Sequence, residues 1–475
     1  MRALVGSIAA VGLLLQLGCS SADPETTDPT TCADENTVGG VCVGVTSGTL
    51  CEQNACTADV SCGNVREAFD QAGLTAAADA ASPGDCIALH AGTYTRVVVP
   101  GGVSLLGKGA DHVFLDYVEV SGGSDTVVQG MTVGMDGIKL DAAASVTVRS
   151  VRVNATTLDG IDANAGSSVS IVNSEIHGAA RYAVSAFDVT SVSVESSILN
   201  GAAGPGMWAQ CSGGCDCPSS VSVTVSDTII RDTKIVGLSF VGVDAVLRNV
   251  EISGNTVDNH FNPGGGMAVS QCSNVDAVGL SVLDNSNFGV LVDDSTIQFG
   301  EQGSTTIEVM RNLRGIWVQN IGQSTEQSVT IDGFELGENT GVGFGVDLES
   351  TSVTVRNGTI RDTSLIDLPV LVNGVSAASD QIGDGLNWFS TSQVTLHSLS
   401  VSNSARASVL IDGDVAPGSS VTSVTLSGGD EAKGILQQNL PDGGTTPTIQ
   451  AAPSVTTSGA EEFAIPEAPQ IPPGI

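Results

Sequence analysis

The feature that most limits how this chain can fold is a four-residue unit, Gly-apolar-x-apolar, repeated along most of its 475 residues. Copies begin at Gly137, Gly160, Ala183, Gly206, Gly237, Gly266, Gly289, Gly315, Gly345, Pro369, Ser408 and Gly434. The first four stand 23 residues apart and later steps run from 23 to 39, as one repeat carrying loop insertions would.

Between units lie two short runs of alternating apolar residues joined at a turn-forming residue, as in Val146-Thr147-Val148-Arg149-Ser150-Val151-Arg152-Val153. The joining column reads Ser150, Asn173, Ser196, Asp227, Asn249, Gly279, Gly333, Asn357 and Ser398, all residues that tolerate a tight or left-handed backbone. Period-two alternation on both sides of a corner predicts strands with one face buried. Three strands in about 23 residues predict an all-β fold, a right-handed single-stranded parallel β-helix of about twelve rungs or more. One turn buries roughly six apolar side chains, on the order of 10 kcal/mol gross, against roughly 1 kcal/mol or more of backbone entropy per residue. A lone turn cannot fold, so neighbours must share the core.

The N-terminus reads as an address. Met1-Arg2, an apolar run over 3–17 and Gly18-Cys19 predict a lipoprotein signal over 1–18 with a lipid on Cys19, since the run is short for a bilayer span. Residues 19–31 read as a flexible acidic tether, 32–66 as a Cys-rich stapled segment, 67–440 as the β-helix and 441–475 as a Pro/Thr-rich tail that covers an end or lies along a sheet. Eleven cysteines leave ten after Cys19, and in an exported chain these are expected to pair: Cys32, Cys42, Cys51, Cys56, Cys62, Cys86, Cys211, Cys215, Cys217 and Cys272. A zinc site at Cys211, Cys215 and Cys217 is the alternative, but no His stands near them in sequence. A net charge of −35 with four lysines argues against nucleic acid. An anionic polysaccharide would need bridging Ca2+, for which Asp293 and Asp294 are the candidates.

A helix-forming run at 75–81, then Gly84-Asp85-Cys86-Ile87-Ala88-Leu89, Gly92-Thr93-Tyr94 and Val103-Ser104-Leu105-Leu106-Gly107-Lys108-Gly109, resembles the start of pectate lyase-like proteins, with their N-terminal capping helix. The resemblance covers about residues 70–440 and implies fold more than activity. It also implies that the sheet carrying the quartet is the floor of a glycan groove. Its outward x positions would be Lys139, Asp162, Ser185, Trp208, Ser239, Ala268, Leu291, Trp317, Asp347, Leu371, Leu410 and Leu436. Trp208 and Trp317 are then stacking platforms for sugar rings, or else are buried under loops. Resemblance to enterobacterial lipoproteins, from Ser20 after Cys19, implies an outer-membrane or cell-surface location.

Insertions flank the rungs from 206 to 369, while the early rungs have almost none. Asp258, His260, Asp293, Asp294, Arg311, Arg314 and Asp347 are the polar residues expected to converge there. Against the polygalacturonase rungs N-T-D-G-I-D, G-D-D-x-I-A-I and G-H-G-I-S-I, the chain keeps Asp159-Gly160-Ile161-Asp162 but puts Arg181-Tyr182 for the Asp pair and Pro205 for the His. One carboxylate cannot be both acid and base for inverting hydrolysis. A polysaccharide lyase would rest on Arg311 or Arg314 as base beside Asp293 and Asp294, which would hold the calcium, with Asp347 and His260 as the further catalytic candidates. The readings are, in order, a surface-anchored protein binding polysaccharide or another cell-surface component without catalysis, a lyase-type enzyme, and a structural adhesin rod. Membrane contact is expected through the lipid alone.

Overall fold

The computed structural model describes residues 60–141, 143–154, 156–217, 221–257, 264–301, 306–319, 328–347, 352–372, 375–389, 393–427, 433–439 and 444, with short strands at Thr37–Val38, Val41–Cys42, Thr448–Gln450 and Val455–Thr457. Thirty-six strands, from Val65–Ala68 to Val455–Thr457, join in one continuous parallel ladder wound as a right-handed β-helix. The ladder therefore runs past residue 440. The helix at its start is Gln71–Ala80, a turn earlier than expected, because the Asp70 carboxylate accepts from the Gly73 amide at 2.8 Å and caps it there. Its buried Leu74, Ala77 and Ala78 close the end of the core.

All nine joining residues adopt the left-handed conformation, from φ 46° at Asn173 and Asp227 to 71° at Gly279. That corner is built as the sequence predicts. Two further left-handed series lie beside the floor strands, one including Asp284, Arg311, Glu338 and Asp362, the other Asp188, Gln271 and Asp294. Arg, Glu and Gln are not turn formers by type, so these corners carried no compositional signal.

Inward floor residues stack in register, Ile138 with Ile161, then Val184, Met207 and Leu238, and join one core that runs the length of the rod. Beside it runs a buried chain of amides. Asn255 Nδ2 donates to Asn285 Oδ1 at 2.7 Å, Asn285 to Asn312 at 2.9 Å and Asn312 to Asn339 at 3.2 Å. Each Oδ1 also accepts the backbone N–H of the preceding asparagine, at 3.0–3.1 Å. This ladder explains the quartet glycines that border it, Gly237, Gly266, Gly289 and Gly315. A Cβ on Gly289 would lie 2.3 Å from Val309 Cγ1, 2.7 Å from the Gly315 carbonyl and 2.9 Å from Asn312 Nδ2. The residue is small because the next rung and the ladder occupy the space, not because the backbone needs a special conformation.

Among the described residues three disulfides are present, Cys62–Cys86, Cys211–Cys217 and Cys215–Cys272. They replace the zinc alternative at Cys211, Cys215 and Cys217. Cys19, Cys32, Cys51 and Cys56 lie outside the described residues, and Cys42 is described only as backbone.

Candidate functional site on the floor sheet

Strand register fixes the outward column of the floor as Val98, Glu119, Lys139, Asp162, Ser185, Trp208, Ser239, Ala268, Leu291, Trp317, Gly345, Asn387, Leu410, Leu436 and Thr456. Two members differ from expectation. The unit at this rung is Gly343-Phe344-Gly345-Val346, so Gly345 replaces Asp347, which sits at the strand end between Gln319 and Phe389. A slip of two residues keeps every inward side chain inward, so alternation alone could not separate the two registers. Leu371 is absent because Ile366–Val372 pairs antiparallel with Val375–Ile382 in a hairpin, and the rung is built by Asp384–Phe389. Pro369 has no N–H to give an interior ladder.

The column divides in two. Ser185 and every described member after it through Leu436 are buried, and Ala268, Leu291, Trp317, Leu410 and Leu436 form a second apolar cluster outside the tube with Phe288, Val342, Ile382 and Phe389. Trp317 is 0% exposed and Trp208 5%, so neither is a platform for sugar rings. Trp208 packs with Tyr182 and Phe187, and its Nε1 donates to Gln210 at 2.9 Å. The Trp317 ring lies over Gly345 and faces Phe389, with Arg314 5.8 Å from its centroid.

Of the remaining expected site residues, the two arginines are engaged with partners of their own. Arg311 is bidentate to Asp284 at 2.7 and 2.8 Å on the outer corner, with its guanidinium committed there. Arg314 is 9% exposed and bonds Asn287 at 3.2 Å, so it is placed for packing and not for removing a substrate proton. Among the described residues the only cluster of three metal-donor side chains is Cys215, Cys272 and Asp294, and two of these are joined as a disulfide. Asp293 is not a member of that cluster. Asp258 and His260 lie outside the described residues.

The stretch that stays open is the early one, over Glu119, Lys139 and Asp162, where few loops border the sheet. Its charges pair among themselves. Arg96 reaches Glu119 at 2.6 Å and covers the Tyr117 ring at 4.7 Å. The Tyr117 hydroxyl donates to Glu119 at 3.1 Å, and burial together with that carboxylate pushes its pKa up to about 12. Lys139 lies 3.4 Å from Asp141. Arg181 grips Asp159 at 2.7 and 2.5 Å, and Asp159 also accepts the Tyr182 amide at 3.2 Å. Asp162 is the floor carboxyl left with a hydroxyl donor, Ser185 at 3.2 Å; burial, then the Asp159 charge, hold its pKa above the ordinary value. Along one edge Met135 and Leu158 expose 56% and 60% of their surface. The sequence places Lys139 and Asp162 on the floor but does not set this stretch apart from the later rungs. Its signal was the lack of insertions beside the first rungs.

Residues 108–297 match the family described as right handed beta helix region. No curated protein matches the sequence. Among solved structures, the A-module of the mannuronan C-5 epimerase AlgE6 from Azotobacter vinelandii is 14% identical with a TM-score of 0.35, covering 84% of this chain and 97% of that one. The catalytic unit of a GH87 α-1,3-glucanase from Streptomyces thermodiastaticus is 13% identical with a TM-score of 0.38, covering 78% of this chain and 66% of that one.

Proposed function

We propose that this chain, a right-handed parallel β-helix protein of the pectate lyase-like kind, is an exported, lipid-anchored rod whose open floor binds polysaccharide or cell-surface glycan without transforming it. The observation that supports the reading is the pairing of charges on that floor, Arg96 with Glu119, Lys139 with Asp141 and Arg181 with Asp159. A general acid or base must change protonation during turnover, and a carboxylate locked to a guanidinium resists doing so. Asp162 alone cannot supply both roles. What remains is a strip of fixed donors and acceptors with an apolar edge at Met135 and Leu158, suited to hydroxyls and to the C–H faces of sugar rings. The acidic character of the whole chain favours neutral glycans over polyanions.

The test is a glycan array probed with the chain and with Lys139→Ala and Asp162→Asn, beside assays for released reducing ends and for the ultraviolet absorbance of unsaturated uronates. Binding weakened by both substitutions, with no product formed, is the expected result. Product formation lost in Asp162→Asn would replace binding by catalysis. No binding at all would leave the rod as a structural adhesin. Anchoring is read separately, by incorporation of a labelled fatty acid that disappears in Cys19→Ala.

A further inference from the structure

Side chains from three separate segments meet at one point on a corner beside the floor strands. Cys215 lies in the short turn Gly214–Asp216, Cys272 follows the floor strand Gly265–Ser270 and Asp294 follows Phe288–Asp293. Their donor atoms, two Sγ and a carboxylate oxygen, all lie within 4.8 Å of one another, with Asp294 Oδ2 3.9 Å from Cys215 Sγ. Left-handed corners at Cys272, φ 61°, and Asp294, φ 47°, bring these two together, and the Cys272 N–H donates to the Asp294 carbonyl at 2.6 Å. Cys215 is exposed, Cys272 half-buried and Asp294 buried. In the oxidised chain the two sulfurs are bonded to each other, and the thiolate that a metal needs is absent.

The exposed Cys215 sulfur leaves that bridge open to exchange. A dithiol reductant bonds through one sulfur to Cys215 and displaces Cys272 as a thiolate; its second sulfur then displaces Cys215. Two electrons pass to the protein, the reductant leaves as a disulfide and two thiols remain. The turn is seated by packing as well as by the bridge, so Cys215 stays in place. A Cβ on Gly242 would lie 2.8 Å from the Gly214 carbonyl, and one on Gly214 2.6 Å from Gln271 Oε1. Two thiolates and a carboxylate suit Zn2+ rather than Ca2+, because thiolate sulfur is soft and Ca2+ takes oxygens. Zinc bonds of about 2.0–2.3 Å set tetrahedral ligands about 3.3–3.8 Å apart, a separation these donors reach once the sulfurs part, with the fourth position left to water. A net charge of −35 draws cations to the surface.

We propose that Cys215, Cys272 and Asp294 form a zinc site gated by thiol–disulfide exchange, so that a disulfide and a metal ion are alternative cross-links at one place on the rod. Reduction makes the site, and zinc binding releases the two thiol protons to solvent. Reoxidation by a disulfide oxidant takes the two electrons back and frees the ion. The set differs from the closely spaced Cys211, Cys215 and Cys217, of which Cys211 and Cys217 are bonded to each other. It does not rest on the glycan reading of the open floor, since it stands on different residues.

The test takes the full chain, reduced with a phosphine and exchanged into reductant-free anaerobic buffer, and titrates it with ZnCl2 against a chromogenic chelator. The reduced native chain should bind one zinc more than reduced Cys272→Ser. Affinity for that ion should fall about tenfold or more in Asp294→Asn. It should be unchanged in a double variant, Cys211→Ser with Cys217→Ser. Co2+ in its place should show the charge-transfer absorption of thiolate ligands. Treatment with oxidised glutathione should release the ion as the Cys215–Cys272 bridge reforms in peptide maps. Equal zinc uptake by the native chain and Cys272→Ser overturns the proposal, as does undiminished affinity in Asp294→Asn. Loss of the ion in the double variant also overturns it, by placing the metal on the other pair. If Cys272→Ser does not fold, the native chain decides alone: zinc retained after the bridge has reformed, or Co2+ bound without the thiolate absorption, overturns the site.

Discussion

Substituting Asn312 by Ala removes the middle of the amide ladder and so probes what holds the floor strands in register. Asn312 Oδ1 accepts from the Asn285 backbone N–H at 3.0 Å and from Asn285 Nδ2 at 2.9 Å, and both donors are buried. Its own Nδ2 donates to Asn339 Oδ1 at 3.2 Å, to the Met310 carbonyl at 3.0 Å and to the Val282 carbonyl at 3.2 Å. Carbonyls tolerate the loss of one of two acceptor sites, so the main cost falls on the two stranded donors. At roughly 1–3 kcal/mol each the variant should lose about 4 kcal/mol. That corresponds to a fall of about a thousandfold in hydrogen-exchange protection at Asn285. The control is Asn403→Ala, which removes a 2.9 Å bond to Asp362 on the exposed corner and should cost below about 1 kcal/mol. Exchange read by mass spectrometry localises the effect even if the rod unfolds in stages. Equal losses in the two variants, or a loss below about 1 kcal/mol in Asn312→Ala, would refute the ladder as a source of stability.

Other consequences are tested with single substitutions. Gly289→Ala puts a methyl 2.3 Å from Val309 Cγ1 and 2.7 Å from the Gly315 carbonyl, and should cost about 1–3 kcal/mol in denaturant unfolding. Asp162 has a folded-state pKa above its unfolded value, so its contribution to stability is full below about pH 3.9 and is lost as pH rises through the folded value. Asp162→Asn should therefore raise the melting temperature at pH 7 and leave it unchanged at pH 3. Cys272→Ser opens the bridge to Cys215, 57 residues away in sequence, and should lower stability by about 2–4 kcal/mol in non-reducing buffer and by nothing under full reduction.

The fold was legible because its two signals, the quartet and the joining column, each recur at the same place in the turn. The ladder was equally periodic but went unread. Asn285, Asn312 and Asn339 stand three or four residues ahead of Gly289, Gly315 and Gly343. Asparagine there reads as an ordinary loop residue, and only the structure shows its amide turned inward. The site was legible in part. Loop insertions point to an open groove at rungs 206 to 369, whereas that is the stretch where the floor is buried. Length of insertion says that something borders the sheet, not whether it stands beside it or lies across it.

The outward column itself holds the missing information. Before Trp208 it reads Glu119, Lys139, Asp162 and Ser185, and after Ser239 it reads Ala268, Leu291 and Trp317. An outward strand position that meets water is free to carry a charge; one that meets protein is held uncharged by the cost of burying a charge. Paired substitutions test whether this switch divides an open floor from a sealed one. Lys139→Leu, on a half-buried position at the open stretch, removes an ion pair with Asp141 and should cost about 1 kcal/mol or less. Leu291→Lys buries an unpaired ammonium at a position 0% exposed and should cost several kcal/mol, about 3–5, unless the local structure opens. Thermal unfolding of both variants settles the matter. If Leu291→Lys melts within a degree or two of the native chain, the later floor is accessible after all. The open stretch at Glu119, Lys139 and Asp162 then loses its standing as the place where a glycan meets the rod.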